Sequence, residues 1–382
     1  MPTTTATTPT TPATAAVVRT RGAPFALEEI RVDTPRPDEV LVRVRAAGVC
    51  HTDLSVRAGH TPFPVPAVLG HEGTGTVEAV GDAVTSVVPG DSVVLSFASC
   101  GRCAACLTGR PVRCAHWPAL NLFGGSRLDG SATVSGTGRY AGQPLHGHFF
   151  GQSSFATYAL TGERNVVPVP AGLPPEVLAP LGCGVQTGAG SVLNVLRPEA
   201  GHTLVVYGVG SVGLAAVMAS RLTAATRVVA VDPDPRRLAL ARRLGATDVV
   251  NPDEDDPLGA VRDLTGGAGA ERALETSGVP RVLRQAVDGL AVSGVCGVVG
   301  APPVGTEAAF DVPAMLDRGP RVVGVNQGDV VPRVFVPALV ELYLAGRLPV
   351  DAIVSVFPFE RIEEAGEAAV RGEAVKPVLL MP

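Results

Sequence analysis

The stretch LVVYGVGSVG, residues 204–213, contains Gly208, Gly210 and Gly213 in the spacing G-x-G-x-x-G. An apolar run precedes these glycines, and an apolar helix, SVGLAAVMASRL, is predicted to begin among them. The first glycine permits a tight turn, the second lets the backbone approach a pyrophosphate, and the third permits close packing of the helix, whose N-terminus attracts negative charge. The stretch therefore predicts a dinucleotide site. A glycine-rich turn without a ligand is the alternative.

Asp232 ends the next predicted strand, RVVAVD, roughly 20 residues after the last glycine, where such folds place the acidic residue that binds ribose. Its carboxylate would accept hydrogen bonds from the ribose diol and would repel a 2′-phosphate, which favours NAD over NADP. The neighbouring Arg236 and Arg237 are the argument for NADP, because an arginine at this place can accommodate that phosphate.

Outside this stretch, the chain shows two different patterns. Strands alternate with helical segments from about Gly182 to Val325, which is typical of a parallel sheet, whereas short β-branched runs from Val17 to Phe97 predict a barrel-like β domain. We therefore expect an α/β protein with a doubly wound cofactor domain inserted into a catalytic domain. The predicted bounds are 1–16 for a disordered Thr- and Pro-rich tail, 17–184 and 326–382 for the catalytic domain, and 185–325 for the cofactor domain.

The composition excludes several classes of protein. The formal charge of the 382-residue chain is −5 and no dense Lys/Arg cluster is present, so nucleic acid is not an expected partner. The apolar runs end well before the roughly 20 residues of a membrane-spanning helix. The chain also begins without the basic and apolar segments of a secretory signal. We expect a soluble, cytoplasmic protein that acts on a small molecule.

Four of the seven cysteines, Cys100, Cys103, Cys106 and Cys114, lie in one short segment. Disulfides are not expected in the cytoplasm, and four closely spaced thiolates are typical of a closed tetrahedral zinc site. Such an ion would stabilise a loop that has little apolar material of its own.

A second set of candidate ligands is dispersed along the chain: Cys50 in GVCHTD, the pair His71 and Glu72 in LGHEG, and Cys183 in LGCGVQTG. Two thiolates and one imidazole form a known open catalytic zinc site. Spacing alone leaves another interpretation, in which the cysteines are small buried residues and His-Glu is an ordinary polar pair.

In this order, the motifs GVCHTD, GHEGTGTVEAVGDAV, the four-cysteine loop, LGCGVQTG and GVGSVG resemble the zinc-containing alcohol dehydrogenases of the medium-chain dehydrogenase/reductase family. The stretches GHFFGQSSFATYA and GDVVPRVFVPALVELYLAGRLP are most similar to its aryl-alcohol (benzyl-alcohol) dehydrogenase branch. The resemblance implies a GroES-like β-barrel catalytic domain, a Rossmann cofactor domain, NAD, two zinc ions per chain, and interconversion of a primary, aryl or allylic, alcohol and its aldehyde. It also implies a homodimer or homotetramer.

By this resemblance, Cys50, His71 and Cys183 hold the catalytic zinc and leave one position for substrate or water. Glu72 is implied as an alternative or transient ligand. Asp53 would accept the other ring N–H of His71 and so hold the ring in the tautomer that binds metal. The four cysteines of the short loop would hold a structural zinc.

Thr52 occupies the position of a family Ser or Thr that takes the alcohol proton and passes it to the cofactor ribose. Many relatives have a histidine at the end of this relay, where the chain has Ser55. His51 occupies the place of a basic group that contacts the cofactor pyrophosphate. The remaining implied cofactor contacts are Thr187 and Val212 at the nicotinamide, the backbone of Val299 at its carboxamide, and Lys376 at the pyrophosphate.

Two other functions remain open. A thiol-dependent formaldehyde dehydrogenase, acting on an S-hydroxymethyl thiol, would use the same apparatus, and a non-catalytic relative would keep the fold. Aromatic residues could line a substrate pocket or belong to the core: Phe97, Trp117, Phe123 and Phe149. Structural or surface roles are expected for His60, His116, His146, His148, His202 and Cys296.

Overall fold

The computed structural model describes residues 10–382. Its β-strands, in chain order, are Thr11–Val18 (β1), Phe25–Val32 (β2), Glu39–Gly48 (β3), Ala67–Val68 (β4), Gly73–Val80 (β5), Ser92–Leu95 (β6), Val134–Gly136 (β7), Tyr158–Gly162 (β8), Val166–Pro168 (β9), Thr203–Tyr207 (β10), Arg227–Val231 (β11), Asp248–Val250 (β12), Ala270–Glu275 (β13), Leu290–Val298 (β14), Arg321–Gly324 (β15), Val354–Pro358 (β16) and Lys376–Leu380 (β17). Its α-helices are His51–Ala58 (α1), Ala104–Leu107 (α2), Pro175–Leu178 (α3), Gly184–Gly190 (α4), Ser211–Ser220 (α5), Pro235–Leu244 (α6), Pro257–Leu264 (α7), Pro280–Asp288 (α8), Val312–Arg318 (α9), Pro332–Leu344 (α10) and Ile362–Val370 (α11).

The chain forms two units. The first contains the described residues up to Gly182 together with Val354–Pro382, and the second is Cys183–Ile353. Residues 326–353, which the sequence analysis assigned to the catalytic domain, thus group with the second unit. The turn Gln327–Asp329 packs directly on α4: a Cβ atom at Gly190 would lie only 2.5 Å from the carbonyl oxygen of Gly328. This close backbone packing explains the different boundary.

The predicted tail, residues 1–16, is only partly within the described chain, because residues 1–9 lie outside it. The prediction of disorder is wrong for residues 11–16, which form most of β1. This strand pairs antiparallel with β2 and β4, and its Ala15 and Ala16 are fully buried. The alanine side chains are small enough for a tightly packed sheet, and the neighbouring strands supply backbone hydrogen bonds that the composition of residues 11–16 does not reveal.

Two sheets build the first unit. One has the order β4-β1-β2-β7, and the other has the order β16-β17-β3-β5-β6-β9, with β8 also paired to β3. β3 buries every residue except Arg43 and Arg45, and it is an interior strand of its sheet, paired with β5, β8 and β17. The β17 to β3 and β3 to β5 pairings are antiparallel. The barrel-like β domain predicted from the short β-branched runs is confirmed.

The second unit contains one six-stranded sheet in the order β12-β11-β10-β13-β14-β15, with all neighbouring strands parallel. The sheet begins at its centre with β10 and reverses direction next to it, which is the strand order of doubly wound dinucleotide-binding folds. β10 is buried along its whole length, as expected of a central strand covered by helices on both faces. The predicted parallel-sheet domain is confirmed.

No helix within residues 10–382 is both long enough and apolar enough to cross a lipid bilayer.

Arg127 clamps the loop before β7 onto β3. Its guanidinium group donates to both carboxylate oxygens of Glu39, at 2.6 and 2.9 Å, and to the carbonyl oxygen of Ala132 at 2.5 Å. It also pairs with Asp33 at 2.9 Å. Burial raises the pKa of Glu39, but the hydrogen bonds from Arg127 and from the backbone of Arg36 outweigh it and lower the pKa below 4.5.

We expect Arg127→Met to lower the free energy of unfolding by about 3 kcal/mol at neutral pH, because Glu39 would stay buried without its partner. The folded-state pKa of Glu39 is depressed, so the pair stabilises the protein fully above pH 4.5 and loses its effect as the pH falls through the folded-state value. Denaturant titrations at neutral and acidic pH measure the loss of unfolding free energy in the variant and its dependence on pH.

The control for this experiment is Arg43→Met, which removes an exposed pair with Glu78 at 3.7 Å. We expect it to change the free energy of unfolding by less than about 1 kcal/mol. Equal losses in the two variants would contradict the role assigned to the clamp.

Candidate active site and metal centres

The glycine turn has the geometry expected of a dinucleotide site. Gly208 has a φ of 85°, a left-handed conformation that other residues rarely adopt. A Cβ atom at Gly213 would lie 2.0 Å from the carbonyl oxygen of Gly208, so only glycine lets α5 pack this close to the turn. At Gly210, which precedes α5, the space where a Cβ would stand is open within 4 Å. A phosphate group can therefore approach the first N–H groups of the helix.

Asp232 follows the last residue of β11 and is buried. Its carboxylate accepts hydrogen bonds from the backbone N–H of Val209, at 2.8 Å, and of Asp234, at 2.9 Å. Arg237 lies 3.9 Å from the same carboxylate, and Arg236 is paired with Asp234 at 2.8 Å. Arg236 and Arg237, which were the sequence argument for NADP, are therefore each close to a carboxylate.

The other predicted nicotinamide contacts lie on elements that adjoin the turn. Thr187 is buried in α4, and Val212 is in the first turn of α5. A Cβ atom at Gly188 would lie 2.1 Å from the carbonyl oxygen of Val212, so these two helices are in close contact. Val299 follows β14, and its N–H donates to the carbonyl oxygen of Glu275. Their roles toward a cofactor stay predictions.

The four-cysteine loop forms one compact cluster, with all four sulfur atoms of Cys100, Cys103, Cys106 and Cys114 within 4.8 Å of one another. Backbone N–H groups donate to the sulfurs: that of Cys100 to Cys114 at 3.3 Å, and that of Ala115 to Cys103 at 3.5 Å. N–H donors of Ala115 and Cys106 lower the pKa of Cys103 to about 6, whereas burial raises the pKa of Cys114 to about 12. No disulfide joins the seven cysteines, all of which lie in the described part of the chain. This donor set fits a tetrahedral zinc ion.

The dispersed ligands also come together. One ligand atom from each of Cys50, His71, Glu72 and Cys183 lies within 4.8 Å of the others. Cys50 immediately precedes α1, and Cys183 immediately precedes α4. Cys183 directly follows Gly182. The carbonyl of Gly182 accepts a hydrogen bond from the Ser96 hydroxyl at 2.8 Å, and this bond helps to fix the backbone next to the cysteine.

His71 carries the clearest sign of a ligand. Its Nε2 atom is buried and has no hydrogen-bond partner among residues 10–382. A buried polar atom without a partner is costly, and a cation at this place would satisfy it. Burial lowers the pKa of His71, but the Asp53 carboxylate and Cys50 outweigh it and hold the pKa well above its ordinary value. The surroundings thus favour a positive charge at this nitrogen, which a divalent metal ion supplies.

Asp53 lies where the resemblance predicted. Its Oδ1 atom lies 2.9 Å from His71 Nδ1 and accepts from the backbone N–H of Gly70 at 3.1 Å, while Oδ2 accepts from the N–H of Cys50 at 2.9 Å. With Nδ1 donating to this carboxylate, the neutral imidazole presents its Nε2 lone pair to the cluster.

Lys376 forms a buried ion pair. The residue is 1% exposed, and its ammonium group donates to both carboxylate oxygens of Glu72 at 2.9 Å. Its implied role at the cofactor pyrophosphate stays a prediction. Burial raises the pKa of Glu72 in spite of this partner. A carboxylate buried this deeply needs a counter-charge, which accounts for the position of Lys376.

The first turn of α1 carries the remaining predicted residues. The Thr52 hydroxyl oxygen lies 3.8 Å from Cys50 Sγ, and His51 is exposed. Ser55, which stands where many relatives have a histidine, shares a hydrogen bond of 3.0 Å with the hydroxyl of Thr61.

Two aromatic side chains contact His71, and one of them, Phe150, was not predicted from the sequence. The Phe150 ring stacks on the imidazole with centroids 4.4 Å apart, and Phe149 contacts it edge-on at 5.4 Å. Trp117 contacts both Phe150 and Phe97. Phe150 has a φ of 49°, which is unusual for an aromatic residue, and in this conformation its ring stacks on His71.

Phe123, by contrast, is 45% exposed and has no ring contact with this cluster. Buried glutamines near the ligands, Gln152 and Gln327, were also missed, because no spacing or composition signal marks a glutamine for such a position.

The fold and the two cysteine-containing clusters define a metal-binding, two-unit dehydrogenase, and comparison with known proteins agrees. Residues 36–171 match the alcohol dehydrogenase GroES-like domain, and residues 211–343 match the zinc-binding dehydrogenase family. Geraniol dehydrogenase of Castellaniella defragrans is 43% identical over 96% of this chain and 97% of its own length.

Two crystal structures are similar over nearly the whole chain. An alcohol dehydrogenase zinc-binding domain protein from Burkholderia ambifaria has a TM-score of 0.94 and 50% identity, covering 98% of this chain and 100% of that one. Benzyl alcohol dehydrogenase from Acinetobacter calcoaceticus has a TM-score of 0.93 and 42% identity, covering 97% and 100%. The chain therefore belongs to the zinc-binding alcohol dehydrogenase family and is an oxidoreductase. The predicted family and its benzyl-alcohol branch are confirmed.

Proposed function

We propose that this protein is an NAD-dependent alcohol dehydrogenase with two zinc ions per chain, which interconverts a primary aryl or allylic alcohol and its aldehyde. The observation that carries the proposal is the convergence of Cys50, His71 and Cys183 around the unpartnered Nε2 atom of His71. The names of the relatives support the substrate class, since geraniol is a primary allylic alcohol and benzyl alcohol a primary aryl alcohol.

When bound, the catalytic zinc supplies a Lewis acid and NAD supplies the hydride acceptor. The residues of the chain hold the substrate in place and transfer the proton of its hydroxyl group. The Thr52 hydroxyl, 3.8 Å from Cys50 Sγ, accepts the proton of the alcohol at its Oγ1 atom and gives up its own hydroxyl proton to the next hydroxyl group or water. Phe150, which stacks on His71, and Trp117, which contacts Phe150, exclude water and favour a flat, apolar substituent.

Ser55 and Thr61 form the next pair of hydroxyl groups on the same helix and its following turn. In the absence of the histidine that many relatives have at Ser55, we propose that proton release relies on such hydroxyl groups and water. His51, exposed at the start of α1, is proposed to contact the cofactor pyrophosphate.

The cofactor preference rests on Asp232. Asp232 follows β11, and its carboxylate accepts from the N–H of Val209 in the glycine turn, so a 2′-phosphate there would meet like charge. The two arginines nearby already pair with Asp232 and Asp234, which weakens the case for NADP. The four-cysteine cluster is proposed to hold a structural zinc, which requires reduced cysteines and so fits the proposed cytoplasmic location.

Asp53→Asn tests the catalytic zinc site. An amide cannot accept three hydrogen bonds as the carboxylate does, so we expect the affinity for the catalytic zinc to fall by about 10- to 100-fold while the four-cysteine site keeps its ion. Zinc content after competition with a chelator measures this. Asp82→Asn, an exposed change in the same unit, is the control. Full zinc content and activity in Asp53→Asn would refute the role of Asp53.

Turnover of a small substrate panel tests the function. With NAD, we expect benzyl alcohol and geraniol to show a kcat/KM at least about tenfold above that of ethanol, because a larger apolar group gains binding energy in an aromatic pocket. NADP should serve poorly. Absorbance of the reduced cofactor provides the measurement.

The same panel distinguishes the alternatives. A preference for formaldehyde plus a low-molecular-weight thiol would identify a thiol-dependent formaldehyde dehydrogenase. No turnover of any alcohol by protein with zinc in both clusters would identify a non-catalytic relative.

We also propose that the protein is a homodimer or homotetramer in which β15 pairs with a second copy. β15 is the last strand of its sheet, and Val322 on it is 38% exposed. An exposed apolar edge strand is a natural pairing surface between symmetric copies. Val322→Lys should lower the mass measured by light scattering, whereas Val88→Lys, at an exposed site of the other unit, should not. An unchanged mass for Val322→Lys would exclude this edge.

A further inference from the structure

Gln327 makes a contact that the family resemblance did not assign. It lies in the turn after β15, and only 8% of it is exposed. Its Nε2 atom donates a hydrogen bond to Cys183 Sγ at 3.4 Å. Its Oε1 atom accepts one from Gln186 Nε2 at 2.9 Å. The carboxamide thus connects helix α4 with the sulfur of a candidate zinc ligand, and all three residues belong to the second unit.

The backbone of this turn holds the side chain in place. Gln327, Gly328 and Asp329 have φ values of 50°, 68° and 50°, a left-handed run that is unfavourable for the two residues other than glycine. Such a conformation persists only where the surroundings impose it. Here, a Cβ atom at Gly328 would lie 2.4 Å from the carbonyl oxygen of Gln186, and the N–H of Asp329 donates to the carbonyl of Asn326 at 2.9 Å. Close packing and this hydrogen bond hold the turn, and the turn directs Gln327 at Cys183.

The chemistry of this contact differs from that at His71. A carboxylate partner such as Asp53 makes an imidazole a stronger donor toward a metal ion. An amide N–H on a thiolate does the opposite, because it stabilises the lone pairs of the sulfur. A site that has two thiolates gains electrophilic character when one of them is held in this way.

We propose that Gln327 is a positioning residue of the catalytic zinc site. It holds Cys183 Sγ by an N–H···S hydrogen bond and weakens the donation from that sulfur to the ion, and Gln186 sets the orientation of its carboxamide. The inference rests on the proposed function, since it requires a metal ion bound by Cys183.

Cobalt spectroscopy of the holoenzyme tests this role. With cobalt in the catalytic site and zinc in the four-cysteine site, the charge-transfer absorption from thiolate to cobalt reports the electron density on the sulfur. Gln327→Asn keeps an amide that is one methylene too short to reach, and asparagine tolerates a left-handed backbone. We expect its band to shift to longer wavelength and kcat/KM to fall by about tenfold. Gln186→Met should shift the band in the same direction by a smaller amount.

Gln327→Met, similar in size but without a donor, is the second variant and should give the same shift as Gln327→Asn. Asp329→Asn, in the same turn but away from the sulfur, is the control and should keep the wild-type band. An unshifted band in a folded Gln327→Asn or Gln327→Met protein, or an equal shift in Asp329→Asn, overturns the inference and leaves the zinc site standing. If the wild-type protein shows no thiolate-to-cobalt band at this site, the proposed function fails together with it.

Discussion

Asp53 binds the backbone N–H groups of Cys50 and Gly70 and the imidazole of His71 with a single buried carboxylate. This one group joins the start of α1 to the segment before β5, and so sets the distance between a thiol ligand and an imidazole ligand. Three donors stabilise its negative charge in a fully buried position. The carboxylate also raises the pKa of His71, so the surroundings of the ring favour positive charge.

Around this carboxylate, the first unit buries more acidic than basic groups. Glu72 and Lys376 neutralise each other, while Asp53 has no buried lysine or arginine partner among the described contacts. Two thiolates would add further negative charge. A divalent cation balances such a group of buried anions, so the electrostatics of the site and the proposed ligand set require the same ion.

Neutral side chains complete the surroundings of the ligands. Gln152 accepts from the N–H of Gly73 and donates to the carbonyl oxygen of His71, which connects the backbone on both sides of Glu72. Phe150 lies flat on the imidazole. These contacts restrict the His71 ring from both its backbone and its face, and they place apolar surface next to the position where an alcohol is proposed to bind.

The short-range features of this protein can be predicted from its sequence. The turn at Gly208 and the cluster from Cys100 to Cys114 each depend on spacing within a few residues, and strand–helix alternation depends on local periodicity. The identification of Cys50, His71 and Cys183 as ligands needed the family resemblance, since spacing alone left their role ambiguous.

The long-range contacts have no local signal in the sequence. Glu72 pairs with Lys376, 304 residues away, and Cys183 pairs with Gln327, 144 residues away. The Ala- and Thr-rich β1 is a strand only because β2 and β4 pair with it. Local patterns encode backbone conformation, whereas partners for buried charges, sulfurs and strand edges exist only once distant segments have packed together.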